Sequence, residues 1–94
     1  MPDWTDREPA MVFDLHGQSV LEAIRSTGQF LTIQRKARPG AVVRLITGRG
    51  SGGGSAPVRG RVGTLLREMK DGGTIVRDYQ REHGEGSYLV RLAG

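Results

Sequence analysis

The chain has no cysteine, two histidines, His16 and His83, and five aromatic residues in 94. Without thiols there is neither a disulfide framework nor a thiolate metal site, and two imidazoles are too few for a closed structural zinc centre. A reducing, cytoplasmic setting is the natural expectation. No long apolar run occurs. The longest stretch, Ala41 to Ile46, is short and interrupted by Arg44, and Met1 to Ala10 lacks the apolar core of a secretion signal, so neither a membrane span nor a targeting segment is expected. With one Trp, two Tyr and two Phe, extended stacking on nucleobases is not expected either. A chain of this length forms one domain, burying roughly 60–70% of the surface it exposes when unfolded.

What is present is charge of one sign, concentrated. The net charge is +4, and from Ala23 through Arg67 the chain carries Arg25, Arg35, Lys36, Arg38, Arg44, Arg49, Arg59, Arg61 and Arg67 without a single Asp or Glu. The ten acids all lie outside this block. Such a segment attracts polyanions, and arginine's planar fork suits phosphate oxygens. Lys36, Arg38, Arg44, Arg59 and Arg61 are therefore candidates for contacting nucleic acid. A solvated basic face that only maintains solubility is the bland alternative.

Residues 1–10 are polar with two prolines and read as a loosely held, flexible arm, leaving 11–94 as the domain. Met11 to Leu15 is a short apolar run that suits a first strand, stopped by His16-Gly17. Ser19-Val20-Leu21-Glu22 has the form of a capping box, and Val20, Ile24, Thr27 and Leu31, flanked by Ala23 and Phe30, recur at the helical period until Pro39-Gly40. Ala41 to Thr47 is the second strand, with Val43 and Leu45 on one side and Val42, Arg44 and Ile46 on the other. The helix between these strands predicts a parallel pair. Val58, Val62, Leu65, Leu66 and Met69 trace a second helix despite Gly60 and Gly63, closed by Gly72-Gly73. Thr74 to Tyr79 reads as a third strand, Gln80 to Gly86 as a loop, and Ser87 to Leu92 as the last strand. The order is βαβαββ, an α/β fold.

Two constellations carry chemistry. Asp14 and His16, two apart at a strand end, project to one side, where a carboxylate can orient an imidazole for proton transfer. A turn-forming Asp beside a surface His is the ordinary alternative. The second is Thr47-Gly48-Arg49-Gly50-Ser51-Gly52-Gly53-Gly54-Ser55, between a strand and a helix, where glycines let backbone amides face an anion and the helix dipole assists. Gly48, Gly50, Ser51 and Gly52 are the candidate phosphate donors. Gly48-x-Gly50-x-x-Gly53 also fits a dinucleotide-binding pattern, but in a chain too short for that fold, and no Walker ending follows. Both constellations end parallel strands, the edge where such sheets bind ligands. If the third strand ran parallel to them, its exit loop with Arg81, His83 and Glu85 would reach the same rim.

On these residues the sequence resembles an Smr (small MutS-related) domain from Phe13 to Leu92. Phe13-Asp14-Leu15-His16-Gly17 is similar to the family's Leu-Asp-x-His-Gly motif with Phe in place of Leu. Thr47-Gly48-Arg49-Gly50 is similar to its Thr-Gly-x-Gly or His-Gly-x-Gly motif, and Gly84-Glu85-Gly86 to the approach to its final strand. The tract Gly52 to Ser55 is longer than usual for the family. The resemblance implies a two-layer sandwich of a four-stranded mixed sheet and two helices, like the C-terminal domain of a translation initiation factor. It also implies binding of DNA or RNA, often with endonuclease activity, and by position it nominates Asp14, His16 and Arg49 as catalytic. No cofactor is demanded, although a divalent metal such as Mg or Mn at Asp14 is compatible with hydrolysis of DNA. A non-catalytic DNA- or RNA-binding module and a nucleotide-binding glycine loop are the rival expectations.

Overall fold

The computed structural model of the chain describes residues 3–48, 55–82, 84 and 86–94. Its elements follow the expected order: β1 (Met11–Asp14), α1 (Val20–Ala37), β2 (Val42–Ile46), α2 (Ser55–Gly72), β3 (Val76–Glu82) and β4 (Ser87–Leu92). The strands form one mixed sheet in the order β1-β2-β4-β3, with β1 and β2 parallel and β4 antiparallel to both of its neighbours. Two successive reversals make β3 run in the same direction as β1 and β2. The fold is the two-helix, four-stranded α/β sandwich anticipated from the sequence.

Each helix forms for local reasons and stays because one stripe is buried. Ser19 and Glu22 complete a reciprocal capping box at the start of α1, with the Ser19 amide donating to Glu22 (2.9 Å) and the Glu22 amide to Ser19 Oγ (3.2 Å). The Ser19 backbone bond, followed by the hydroxyl bond, holds the exposed Glu22 carboxyl below its ordinary range. Ala23, Thr27 and Leu31 of α1 and Val58, Val62 and Leu66 of α2 are buried against Val43, Leu45, Tyr88 and Val90 of the sheet. Phe13 stacks on Phe30 with ring centroids 4.6 Å apart, fastening the end of β1 to α1.

Gly63 permits close approach between α2 and the sheet. A Cβ there would lie 2.5 Å from the Tyr88 hydroxyl, which donates to the Arg59 carbonyl at 3.1 Å. The helix-weakening glycine seen in the sequence is thus the place where a buried tyrosine crosses the helix backbone. Burial raises the Tyr88 phenol above its ordinary pKa, opposed by the nearby Arg81 and Arg59 charges.

The bounds of the third strand need correction. The third strand, expected over Thr74 to Tyr79, runs instead over Val76–Glu82, because Gln80, Arg81 and Glu82 pair with Leu89, Tyr88 and Ser87 of β4. Strand β4 then begins at Ser87, as expected. Apolar content could not reveal the extension, since Gln80 and Arg81, on opposite faces of the strand, are both exposed and need no hydrophobic side chains there. The segment expected as a loose arm carries a 3-10 turn, Trp4–Asp6, with its own capping box from Asp3 and Asp6. Its Arg7 guanidinium donates to Gly40 O (3.2 Å), and Ala10 donates to Val42 O (2.8 Å).

Candidate functional site

Strand β1 ends where the pairing register places Asp14 beside Ile46 of β2. Leu15 still donates to Ile46 O (2.8 Å) and drops its side chain into the core, and the chain then turns, Gln18 N–H donating to Leu15 O at 3.1 Å. Gly17, third residue of that turn, has φ +84, the positive value a type II turn demands at this position and glycine tolerates best. His16, second in the turn, is exposed. The Asp14 carboxylate accepts a 2.8 Å bond from the His16 backbone amide. It therefore fixes the turn that carries the imidazole. Its expected bond to the ring is not what the geometry contains, and the ring makes no hydrogen bond to a described residue.

Two residues beyond Asp14↔Ile46 on the neighbouring strand comes Gly48, so the His16 turn and the first glycine of the tract adjoin at the carboxyl edge of the sheet. Here the structure departs from expectation in an informative way. The Gly48 amide, expected to face a phosphate, donates to Gly86 O at 3.0 Å. The same carbonyl also accepts from the Thr47 amide (2.8 Å) and from Thr47 Oγ1 (2.9 Å). Three donors on one oxygen clamp the β3–β4 hairpin to the end of β2, and Gly48 (φ +95) and Gly86 (φ +63) supply the positive dihedrals this requires. Gly48 contributes its positive φ, and its own N–H is occupied. The buried Thr47 hydroxyl completes the clamp, a role the sequence motif did not disclose.

The hairpin reaches this rim because β3 runs parallel in direction to β1 and β2, the condition attached to that expectation. Of its candidate side chains, Arg81 is described and exposed, while His83 and Glu85 lie outside the described residues. Arg49, Gly50, Ser51 and Gly52 also lie outside them. Helix α2 begins just after this tract with no acid in its first turn, so its dipole adds positive potential near the rim.

The basic block does not form one patch. Helix α1 runs away from the rim for 18 residues, about 27 Å at 1.5 Å per residue, so Lys36 and Arg38 sit at the opposite end of the domain from His16. Proximity in sequence across a chain reversal is not proximity in space. Arg59 and Arg61 fall in the second turn of α2, on the rim side, with Arg61 exposed. Arg44 lies on the sheet face away from the helices in a bidentate pair with Glu82, Nε to Oε1 at 2.9 Å and Nη2 to Oε2 at 3.0 Å. Ser87 Oγ donates to the same Oε1 at 2.6 Å. Burial works against the Glu82 charge, but the Arg44 and Ser87 bonds and the Arg44 charge outweigh it and hold the carboxyl below its usual range. Glu82 and Ser87 were not singled out in the sequence, because only strand pairing brings either to Arg44.

Among the described residues no three His, Asp or Glu side chains converge to hold a metal ion, and no helix is long and apolar enough to cross a membrane. Comparison with curated proteins and with solved structures returned no match. The family model described as Smr domain does match, over residues 13–93, the span that contains the Asp14-His16 turn, the Thr47-Gly48 clamp and the Gly86 hairpin. The family is one of nucleic-acid-binding and nuclease domains, and this chain belongs to it.

Proposed function

We propose that the domain is an endonuclease that cuts the phosphodiester backbone of a nucleic acid at the carboxyl rim of its sheet. The observation that supports the reading is the adjacency of an exposed His16, presented by the Asp14-braced turn, to Gly48, where the glycine tract of the sequence begins. His16 removes the proton from the attacking oxygen, which forms a bond to phosphorus as the bond to the leaving oxygen breaks. Asp14 acts through the backbone by keeping His16 in its turn. Arg49, with amides of Gly50, Ser51 and Gly52, stabilises the charge that develops on the phosphoryl oxygens. On RNA the attacking oxygen is the neighbouring 2′-hydroxyl; on DNA it is water.

The test is incubation of the protein with labelled single- and double-stranded DNA and RNA, with and without EDTA, beside a His16→Ala variant. The variant should bind as the wild type does and fail to cut. Equal cleavage by the two proteins defeats the mechanism.

A second reading, a binding module without catalysis, is favoured by one specific observation: the Asp14 carboxylate meets the His16 amide and leaves the imidazole unbraced. That module binds with strong salt dependence, about 0.9 log units per tenfold change in salt for each duplex phosphate neutralised, and yields no cut product under any metal condition. A free-nucleotide site in the glycine loop is less well supported, because the Gly48 amide that such a loop would offer is engaged by Gly86.

A further inference from the structure

The sheet face turned away from the helices carries a concavity that phosphate chemistry at the rim does not use. It has a volume of about 400 Å³ and is lined by Arg44, Ile46, Glu82 and Ser87. That size lies within the roughly 300–1,000 Å³ typical of small-ligand sites. Cross-strand pairing explains its composition. Asp14, Ile46, Ser87 and Glu82 form one row across β1, β2, β4 and β3, and Arg44 stands two residues before Ile46 on the same face of β2. Neighbouring strands lie about 4.8 Å apart, so the concavity begins one strand away from Asp14 and the His16 turn.

Arg44 does not behave here as a cation waiting for phosphate. Its two parallel bonds to Glu82 balance its charge, and the Ser87 hydroxyl holds the carboxylate in place from the other side. A fork pinned at two nitrogens has a fixed plane. The side chain remains 36% exposed beside half-buried Ile46. A planar guanidinium of fixed orientation next to an apolar side chain is a stacking surface for a nucleobase. Four of the five aromatic rings are engaged elsewhere: Phe13 is stacked on Phe30, and Tyr79 and Tyr88 pack edge to face on the helix side.

We propose that this concavity receives one unpaired nucleobase, belonging to the nucleotide next to the phosphate held at the rim, with the Arg44 guanidinium as its platform. The inference rests on the reading of the rim as a phosphodiester site and narrows its substrate to single-stranded or locally unpaired nucleic acid. A base inside a duplex stack cannot enter without being unstacked.

Binding by fluorescence anisotropy tests it without requiring cleavage. The probes are a short labelled single strand carrying bases, an abasic strand of equal length and charge, and a duplex. Wild type should prefer the base-bearing strand over the abasic one by roughly five- to a hundredfold, the effect of one stacked base. Arg44→Lys, which keeps the charge and removes the plane, should retain the salt dependence and lose that preference. Glu82→Gln, which loosens the clamp, should weaken it. Photo-crosslinking of a strand containing a photoreactive base to the wild type should label residues 44–46 or 82–87, whatever the variants' stability. Equal affinity of wild type for base-bearing and abasic strands overturns the proposal, as does an undiminished preference in a folded Arg44→Lys or crosslinking confined to other segments. If His16→Ala still cuts while the base preference holds, only the catalytic reading falls. If cutting needs His16 but abasic strands bind as well, only the base site falls.

Discussion

The contact between Gly63 and Tyr88 gives two glycines of the same helix opposite predicted effects on substitution by alanine. Gly60 is exposed with nothing within 4 Å of a Cβ built on it, so Gly60→Ala should gain the helix-propensity difference, about 0.8–1.0 kcal/mol. For a domain of this size a 1 kcal/mol gain raises Tm by roughly 4–8 °C. At Gly63 the same gain is opposed. The new methyl would stand 2.5 Å from the Tyr88 hydroxyl, and Tyr88 is only 6% exposed, with little room to retreat. Overpacking of this kind costs about 1–3 kcal/mol, and displacing the phenol forfeits its bond to Arg59 O, about 0.5–1.5 kcal/mol more. Set against a gain of about 1, the net is a loss of roughly 0.5–3.5 kcal/mol. Removing the hydroxyl should relieve the clash, because the next ring atom, Cζ, is at 3.4 Å, close to ordinary contact. In a Tyr88→Phe background Gly63→Ala should therefore be neutral or stabilising. Urea denaturation followed by far-ultraviolet circular dichroism on the four proteins of this cycle measures the coupling. Equal stabilisation by Gly60→Ala and Gly63→Ala, or an identical Gly63→Ala effect in both backgrounds, would refute the close-approach argument.

Other substitutions probe the rim and its supports. Asp14→Asn keeps an oxygen that can accept the His16 amide, so cleavage should survive in large part, whereas Asp14→Ala should lose about 0.5–2 kcal/mol of stability and most cleavage; if Asn proves as inactive as Ala while the fold is intact, the carboxylate charge is required and the bracing role is wrong. Thr47→Val removes one of three donors to Gly86 O and should cost about 0.5–1.5 kcal/mol by denaturation. Gly86→Ala forces a side chain onto φ +63 and should cost about 1–2 kcal/mol, with a stability equal to wild type counting against the clamp. Glu82 has a folded pKa below its ordinary 4.5, so its pairing contributes stability above that value and loses it as pH falls through the lower, folded value. Acid titrations of the unfolding free energy should be shallower below about pH 4.5 in Glu82→Gln than in wild type, and superimposable curves would contradict the assignment.

Much was determined by sequence alone, because it is encoded in local chemistry. The Ser19-Glu22 capping box, the 3.6-residue stripes of both helices, the Pro39-Gly40 stop and the His16-Gly17 turn each rest on residues a few positions apart, and all occur where the pattern put them. The family motifs share that property. Tertiary structure alone decided what depends on partners distant along the chain. Pairing with β4 carried β3 out to Glu82 through polar residues that no hydrophobic period could mark, and the reversal along α1 sent Lys36 and Arg38 to the far end from an otherwise continuous basic block. The same nonlocal contacts assigned the Gly48 amide to Gly86 and the Arg44 charge to Glu82, 38 residues apart in each case. Backbone propensity and periodicity act over one turn or one strand, so they specify elements. Which donor meets which acceptor across the sheet follows from strand order and register, and those exist only once the chain has packed.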